Sequence, residues 1–280
     1  ITFYNGKLDD EEEGGSIKIS NSTHIQFISC VFDSNRVDFG IGVSVNDNAR
    51  GGAINVNSSS SPYFESCSFI SNWAAGGSVY GGAIRFNSAN SENTFKDTIK
   101  IVNSIFRGNY VQSNREGYGG VISNRRSLIV TNSLFVKNGV HSNLYPGGNW
   151  WYSSGGGVIY SSPYYGNTYG SLIITNSTFD QNFVHVNVDY GTPYGAILDL
   201  QGSSNSKHKV YLFNSIITNS SLQQDSTDYT STNTYYKANN LFKYEKESVS
   251  LNVNYSAIDG STDQTWADDN VFDINPVYND

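Results

Sequence analysis

Apolar and polar residues alternate in short stretches that recur along the whole chain. In a representative stretch, Ile99 and Ile101 stand two positions apart, and Phe106 follows five residues later. A spacing of two is typical of a strand with one buried face. The alternation also follows recurring glycine pairs, where Ile84 is predicted to point inward and Arg85 outward. The pattern predicts about three short strands in each repeat.

Two motifs alternate strictly between residues 14 and 220. The first is Gly-Gly-small-Ile, whose copies begin at Gly14, Gly51, Gly81, Gly119 and Gly156, with a divergent copy at Tyr194-Gly195-Ala196-Ile197. The second is Phe-x-x-Asn, beginning at Phe32, Phe69, Phe106, Phe135 and Phe179, with Ile217 and Ser220 in a divergent copy. Successive Phe residues are 29 to 44 positions apart. A repeat at this interval indicates a solenoid.

One such repeat cannot bury its apolar face alone, but copies stacked at one strand spacing can. The fold expected is all-β: a right-handed parallel β-helix of about seven coils that forms a single domain over residues 1–280. We expect a partial first coil at 1–13, six motif-bearing coils at 14–220, a long polar loop at 221–248 and closing coils at 249–280.

A polar column is also predicted, three residues before each Phe. It consists of Ser29, Ser66, Asn103, Asn132, Asn176 and Asn214. In-register Asn side chains can hydrogen-bond along a stack, which offsets the cost of burying them. We therefore expect this column to be a buried polar ladder at a turn.

The two motifs resemble the repeats of the polymorphic outer membrane protein family, within the pectin-lyase-like superfamily of right-handed parallel β-helices. Those repeats are recognised by Gly-Gly-Ala-Ile and Phe-x-x-Asn, and the resemblance covers roughly residues 14 to 220. It implies the β-helix fold and an extracellular or cell-surface location. It leaves function open, because the superfamily holds adhesins, passenger domains, lyases and hydrolases.

Composition excludes some functions. The formal net charge is −8, whereas nucleic-acid binding needs clustered Lys and Arg, so no nucleic-acid partner is expected. No apolar run approaches the roughly 18 residues of a membrane span, so none is expected in this segment. We also expect no cofactor and no metal site.

An enzyme is not favoured. The outward positions after the glycine pairs, namely Lys18, Asn55, Arg85, Ser123, Tyr160 and Leu198, contain no acid. A polysaccharide lyase needs carboxylates for calcium and a hydrolase needs converging carboxylates. The four histidines, His24, His141, His185 and His208, fall at unrelated positions and are expected in surface loops.

Aromatic residues concentrate between each Phe-x-x-Asn and the next glycine pair. Stacking would place them on one side of the rod, as a stripe that suits sugar stacking or protein contact. The candidate partner-binding residues are Trp73, Tyr118, Tyr145, Trp150, Trp151, Tyr152, Tyr190 and Tyr194. Alternatively, these rings cap their own loops.

Two further features concern modification. Cys30 and Cys67 both precede a Phe by two residues, so they are expected to stack, either as a disulfide or as two small buried thiols. Asn21 and Asn57 begin sequons in predicted turns and are candidate N-glycosylation sites.

These observations favour a non-catalytic extracellular structural or surface protein, such as an adhesin, a stalk or a filament subunit. The alternative is a carbohydrate-binding β-helix that uses the aromatic stripe. A polysaccharide lyase or hydrolase is a third hypothesis. The partners expected are carbohydrate, a cell-surface protein, or copies of the chain itself.

Overall fold

The computed structural model describes residues 1–9, 13–22, 24–40, 48–57, 60–87, 98–143, 153–162, 170–186, 192–202, 208–224, 234–236, 241–244, 248–259, 261 and 270–273. Within these ranges the chain is all-β and forms 34 short strands and no helix. The strands make four sheets, here named A to D in the order in which each repeat visits them.

Sheets A and C contain the two sequence motifs. Sheet A carries the Phe strands: β1 (Thr2–Tyr4), β5 (Val31–Asp33), β10 (Ser68–Ile70), β14 (Ile105–Arg107), β18 (Leu134–Val136), β23 (Thr178–Asp180), β28 (Ile216–Thr218), β33 (Ser256–Ile258) and β34 (Val271–Asp273). Sheet C carries the strands after the glycine pairs: β3 (Ile17–Ile19), β8 (Ile54–Val56), β12 (Ile84–Phe86), β16 (Ile122–Asn124), β21 (Ile159–Ser161), β26 (Leu198–Leu200) and β31 (Phe242–Tyr244).

Sheets B and D complete each repeat. Sheet D comprises β4 (Gln26–Ile28), β9 (Tyr63–Glu65), β13 (Ile99–Val102), β17 (Leu128–Thr131), β22 (Ser171–Thr175), β27 (His208–Phe213) and β32 (Val249–Asn254). Sheet B follows Phe-x-x-Asn and comprises β2 (Lys7–Leu8), β6 (Arg36–Asp38), β7 (Asn48–Arg50), β11 (Trp73–Tyr80), β15 (Tyr110–Tyr118), β19 (Gly139–Ser142), β20 (Ser153–Gly155), β24 (Phe183–Val186), β25 (Thr192–Tyr194), β29 (Ser221–Gln224) and β30 (Thr234–Tyr236).

The strands of sheets B and C correct two expectations. Each full repeat has strands in four sheets, where three strands were predicted, because the segment after Phe-x-x-Asn pairs with its counterpart in the next repeat. The predicted polar loop 221–248 includes β29 and β31, which extend sheets B and C, so it is not a loop throughout.

Successive repeats pair in register. Ile54 pairs with Ile84, which pairs with Ile122, and all three are fully buried in one continuous apolar core. The pairs are parallel throughout the four sheets except that β29 and β30 are antiparallel. The prediction that equivalent positions share one interior is confirmed.

The Phe residues form a continuous stack in sheet A. Ring centroids of neighbouring repeats are 4.6 to 4.8 Å apart with nearly parallel planes, from Phe3 through Phe32 to Phe179. This distance equals the spacing between hydrogen-bonded strands, so identical rings in register must stack face to face.

The buried polar ladder is formed by a different column from the one predicted. It consists of the Asn residues of Phe-x-x-Asn, namely Asn35, Asn72, Asn109, Asn138 and Asn182, all fully buried. The Asn109 amide donates to the Phe69 carbonyl at 2.9 Å and to Asn138 Oδ1 at 3.0 Å. These bonds repeat along the column and end at the Ser220 hydroxyl.

The column predicted as the ladder instead supplies the left-handed residues of a turn. Its members have φ between 50° and 54° and are exposed, as at Asn103. Asn tolerates this left-handed conformation better than most residues, which explains its recurrence at this turn.

Candidate functional site

The polar residues on the outer side of sheet C form the most distinctive polar cluster of the described chain. Register places one residue of each strand in this row, hereafter the C row: Lys18, Asn55, Arg85, Ser123, Tyr160, Asp199 and Lys243. Asp199, not Leu198, occupies the sixth position, because Leu198 pairs with Ile159. The prediction that this row contains no acid is therefore wrong.

The C row is buried although it faces away from the apolar core. Asn55, Arg85, Ser123, Tyr160 and Asp199 each keep less than a tenth of their surface exposed. Part of the cover is aromatic: the Arg85 guanidinium carbon lies 4.6 Å from the Tyr80 ring centroid, and the Tyr118 ring lies 4.5 Å from that of Tyr160. Tyr80 and Tyr118 come from the ends of β11 and β15 in sheet B.

Glu13 is a counter-charge at one end of the C row. Its carboxylate accepts hydrogen bonds from Arg50 and, at 2.7 Å, from the Asn55 amide. Burial opposes ionisation of Glu13, but the hydrogen bond and the charge of Arg50 outweigh it and lower the pKa of this carboxyl.

The other end combines Tyr160, Asp199 and Lys243. The Tyr160 hydroxyl donates to Gln201 Oε1 at 2.9 Å, and burial raises the pKa of Tyr160. The Asp199 carboxylate lies against Gly155, where an added Cβ would collide with it. Lys243 Nζ lies 3.5 Å from the Tyr194 ring centroid. This end therefore holds a carboxylate, a phenol and an ammonium group on three successive strands of sheet C.

The predicted aromatic stripe divides into two stacks. Trp73 stacks on Tyr110 with ring centroids 5.6 Å apart and planes 3° from parallel. Tyr118 and Tyr80 form the second stack, with ring centroids 5.7 Å apart, and this stack covers the C row. Tyr194 lies at the Lys243 end. The other candidates, Tyr145, Trp150, Trp151, Tyr152 and Tyr190, lie outside the described residues.

Cys30 and Cys67 are free, buried thiols in the structure. They occupy a column that continues as Ser104, Ser133, Ser177, Ser215 and Ser256, in which each hydroxyl accepts a hydrogen bond from the backbone N–H of the preceding repeat. Cys67 Sγ lies 3.3 Å from the Phe27 carbonyl oxygen, and burial raises the pKa of this thiol. The two residues lie in neighbouring repeats, as both alternatives for them require.

The sequon residues differ in their surroundings. Asn21 is exposed, with φ of 55°. Asn57 is half-buried, and its side chain accepts from the Asn55 amide at 2.9 Å and donates to the Ser20 hydroxyl at 3.4 Å. Asn21 is therefore the more accessible of the two.

The histidines are not all in surface loops, contrary to expectation. His141 and His185 pair in register in sheet B, with ring centroids 4.7 Å apart. His208 begins β27 and is buried, with Nε2 at 3.4 Å from the Ser161 hydroxyl. Among the described residues, no group of three or more His, Cys, Asp or Glu side chains is arranged to hold a metal ion.

The fold and the C row together define an all-β protein of parallel, in-register sheets with a buried polar and aromatic row on one outer side. No family model, curated protein or solved structure matches the chain. No helix of the described residues is long and apolar enough to cross a membrane.

Proposed function

We propose that the four parallel sheets are the walls of a right-handed parallel β-helix, a single solenoid domain over residues 1–280. The in-register pairing of every repeat and the continuous core support this proposal. A right-handed crossover is the usual hand for connections between parallel strands. The Gly-Gly-small-Ile and Phe-x-x-Asn motifs point to the same architecture through the polymorphic outer membrane protein repeats.

The function that we propose is that of a non-catalytic extracellular or cell-surface protein: an adhesin, a stalk or a filament subunit. One observation carries this proposal. The recurring residues of the Phe-x-x-Asn motif hold repeats together: the Phe in the ring stack and the Asn in the buried ladder. A repeat of this kind specifies a rigid scaffold and leaves no recurring group for chemistry.

The separation between Asp199 and Glu13 also favours a non-catalytic function. Glu13 contacts β8 through Asn55, whereas Asp199 is on β26, four strands away in sheet C. Four strand spacings are about 19 Å, well beyond the roughly 5 to 9.5 Å between the paired carboxylates of glycosidases.

A depolymerisation assay tests this proposal. The chain is incubated with neutral and acidic polysaccharides, with and without calcium, and new reducing ends and unsaturated uronates are measured. We expect neither product. Turnover that disappears in an Asp199→Asn variant would identify an enzyme and overturn the proposal. Negative-stain microscopy of the same sample separates a filament subunit, which forms end-to-end assemblies, from a discrete adhesin or stalk.

Carbohydrate binding is a second candidate, favoured by the stack of Trp73 and Tyr110. Both rings are partly exposed and their planes are nearly parallel, and Arg36 lies 5.7 Å from the Trp73 ring centroid. A flat aromatic surface with a hydrogen-bonding edge suits a sugar ring. On a glycan array, Trp73→Ala should lose binding, whereas Tyr255→Ala, which removes an exposed ring elsewhere, should keep it. Equal binding by both variants would eliminate this candidate.

A further inference from the structure

Three arginines converge around Tyr80 at the Glu13 end of the C row. Arg85 lies over the Tyr80 ring at 4.6 Å, and the Arg125 guanidinium carbon is 6.0 Å from the same ring centroid. Arg50 is close enough to Arg85 for its charge to act on it. Arg50 is on β7, Arg85 is on β12 and Arg125 directly follows β16, so three successive repeats supply the cluster.

The carboxylates near this cluster accept no hydrogen bond from Arg85 Nε or Nη1, although the charge of Glu13 acts on Arg85. Glu13 already accepts hydrogen bonds from Arg50 and Asn55, and it lies 3.9 Å from the Lys18 ammonium. Glu116 acts on Tyr80, and burial raises the pKa of this carboxyl, which weakens it as a counter-charge. Within the part of the chain that the structure describes, Arg85 donates no hydrogen bond from its buried Nε and Nη1 atoms.

A buried guanidinium is unfavourable when two of its nitrogens donate no hydrogen bond. Arg85 is 4% exposed, and burial together with the charges of Arg50 and Arg125 lowers its pKa to about 9. Buried charges in proteins are ordinarily paired or hydrogen-bonded. The guanidinium presents parallel N–H donors that match the two oxygens of a carboxylate, sulfate or phosphate.

We propose that Arg85, with Arg50 and Arg125 beside it, is the centre of an oxyanion-binding site on the outer side of sheet C. The ligand is a carboxylate, sulfate or phosphate group that accepts hydrogen bonds from the unpaired Arg85 donors. It is either a free inorganic ion or a group carried on a sugar. This site is separate from the scaffold function proposed above and does not depend on it.

Anion binding to the purified chain tests the proposal. Inorganic sulfate, inorganic phosphate, glucuronate and a sulfated disaccharide are titrated separately at constant ionic strength, with bound probe measured by equilibrium dialysis and the melting temperature by calorimetry. We expect saturable binding at one site per chain and a rise in melting temperature with at least one probe. Preference for a sugar over the inorganic ion would assign the site to an anionic glycan, and the reverse would assign it to a free ion.

The variants isolate Arg85. Arg85→Met should weaken binding at least about tenfold and, without ligand, should melt no lower than the wild type because an unpaired charge is removed. Arg85→Lys keeps the charge but loses the paired donors, so it should also bind more weakly. It replaces Arg85→Met as the test variant if Arg85→Met fails to fold. Arg107→Met is the control, because Arg107 is an exposed arginine on β14 in sheet A.

Two results would overturn the proposal. One is the absence of saturable binding of every probe to the wild type. The other is binding to Arg85→Met or Arg85→Lys that equals binding to the Arg107→Met control.

Discussion

The Asn109 side chain makes four hydrogen bonds inside the protein. Its amide donates to Phe69 and Asn138, and its Oδ1 accepts from the backbone N–H and the side-chain amide of Asn72, both at 3.0 Å. Replacing it by Ala would leave buried donors and acceptors unpaired in two neighbouring repeats. Each such group costs about 1 to 3 kcal/mol.

Asn109→Ala should therefore reduce the free energy of unfolding by about 3 to 5 kcal/mol. Asn103→Ala is the control from the same repeat. Asn103 is exposed with φ of 52°, so this change should cost only about 1 kcal/mol for the left-handed conformation. Urea unfolding of both variants measures the two losses of unfolding free energy. If Asn103→Ala were the more damaging, the ladder would be the column first predicted from the sequence.

His208 makes stability depend on pH. Burial lowers the pKa of His208 to about 4 from its ordinary 6.5. The unfolded chain therefore binds a proton near pH 6.5, whereas the folded chain binds it only near pH 4. The stabilisation is complete above pH 6.5 and is lost as pH falls towards 4, by a total of about 3 kcal/mol.

His208→Gln isolates this contribution from that of the other titrating groups. The difference in unfolding free energy between wild type and variant, measured by urea at several pH values, should shrink as pH falls from 7 to 4. A difference that stays constant over this interval would mean that His208 does not titrate as described.

At the scale of the elements, the second glycine of each pair is fixed by crowding between repeats. A Cβ on Gly82 would collide with the carbonyl oxygens of Gly120 and Tyr110. Both obstacles are backbone atoms of sheet-forming segments and cannot move aside independently. The turn into sheet C therefore admits only the smallest residue in most repeats.

Gly82→Ala should destabilise the protein by more than about 3 kcal/mol. Gly108→Ala is the contrasting variant: Gly108 has φ of 63°, but an added Cβ would have only the Ser71 hydroxyl nearby, at 3.7 Å. It should cost about 1 kcal/mol for backbone conformation alone. Thermal unfolding compares the two. Gly82 itself has no left-handed φ, so a loss no larger than that of Gly108→Ala would show that crowding does not explain the second glycine.

The elements also show what the sequence can predict. Sheets A, C and D follow from apolar residues two positions apart, and Phe69, Ile54 and Phe64 are buried as expected. Sheet B was missed because β11 and β15 lack this alternation: their strand conformation depends on pairing with neighbouring repeats.

The register of the divergent sixth copy was also missed. Aligning Ala196-Ile197 with the small-Ile residues of the motif places Tyr194 at the first glycine position, one residue too early. The left-handed φ of 51° at Gly195 settles the register, and only the structure reveals it.

At the scale of the whole molecule, the candidate site could be predicted only in part. The sequence places Lys18, Asn55 and Arg85 on one outer row, and the structure keeps them there. It does not reveal that the row is covered by Tyr80 and Tyr118, because that depends on where segments of sheet B end in space. Burial then changes solvated polar groups into unpaired ones, as at Arg85.

The central claim is that equivalent residues of successive repeats lie directly above one another. Sheet A supplies a row of outward residues for testing it, since Thr2, Val31, Ser68 and Ile216 belong to one register column. Ile216 is six strands from Thr2, five from Val31 and four from Ser68. In a Cys30→Ser, Cys67→Ser background, Cys can be introduced at these positions in pairs and spin-labelled.

Pulsed electron paramagnetic resonance then measures the distances from Ile216→Cys to each of the other three sites. The account predicts about 29 Å to Thr2→Cys, 24 Å to Val31→Cys and 19 Å to Ser68→Cys, a constant decrease of one strand spacing. Distances that do not fall in this order, or that do not change in equal steps, would contradict the stacking on which the fold, the ladder and the C row all depend.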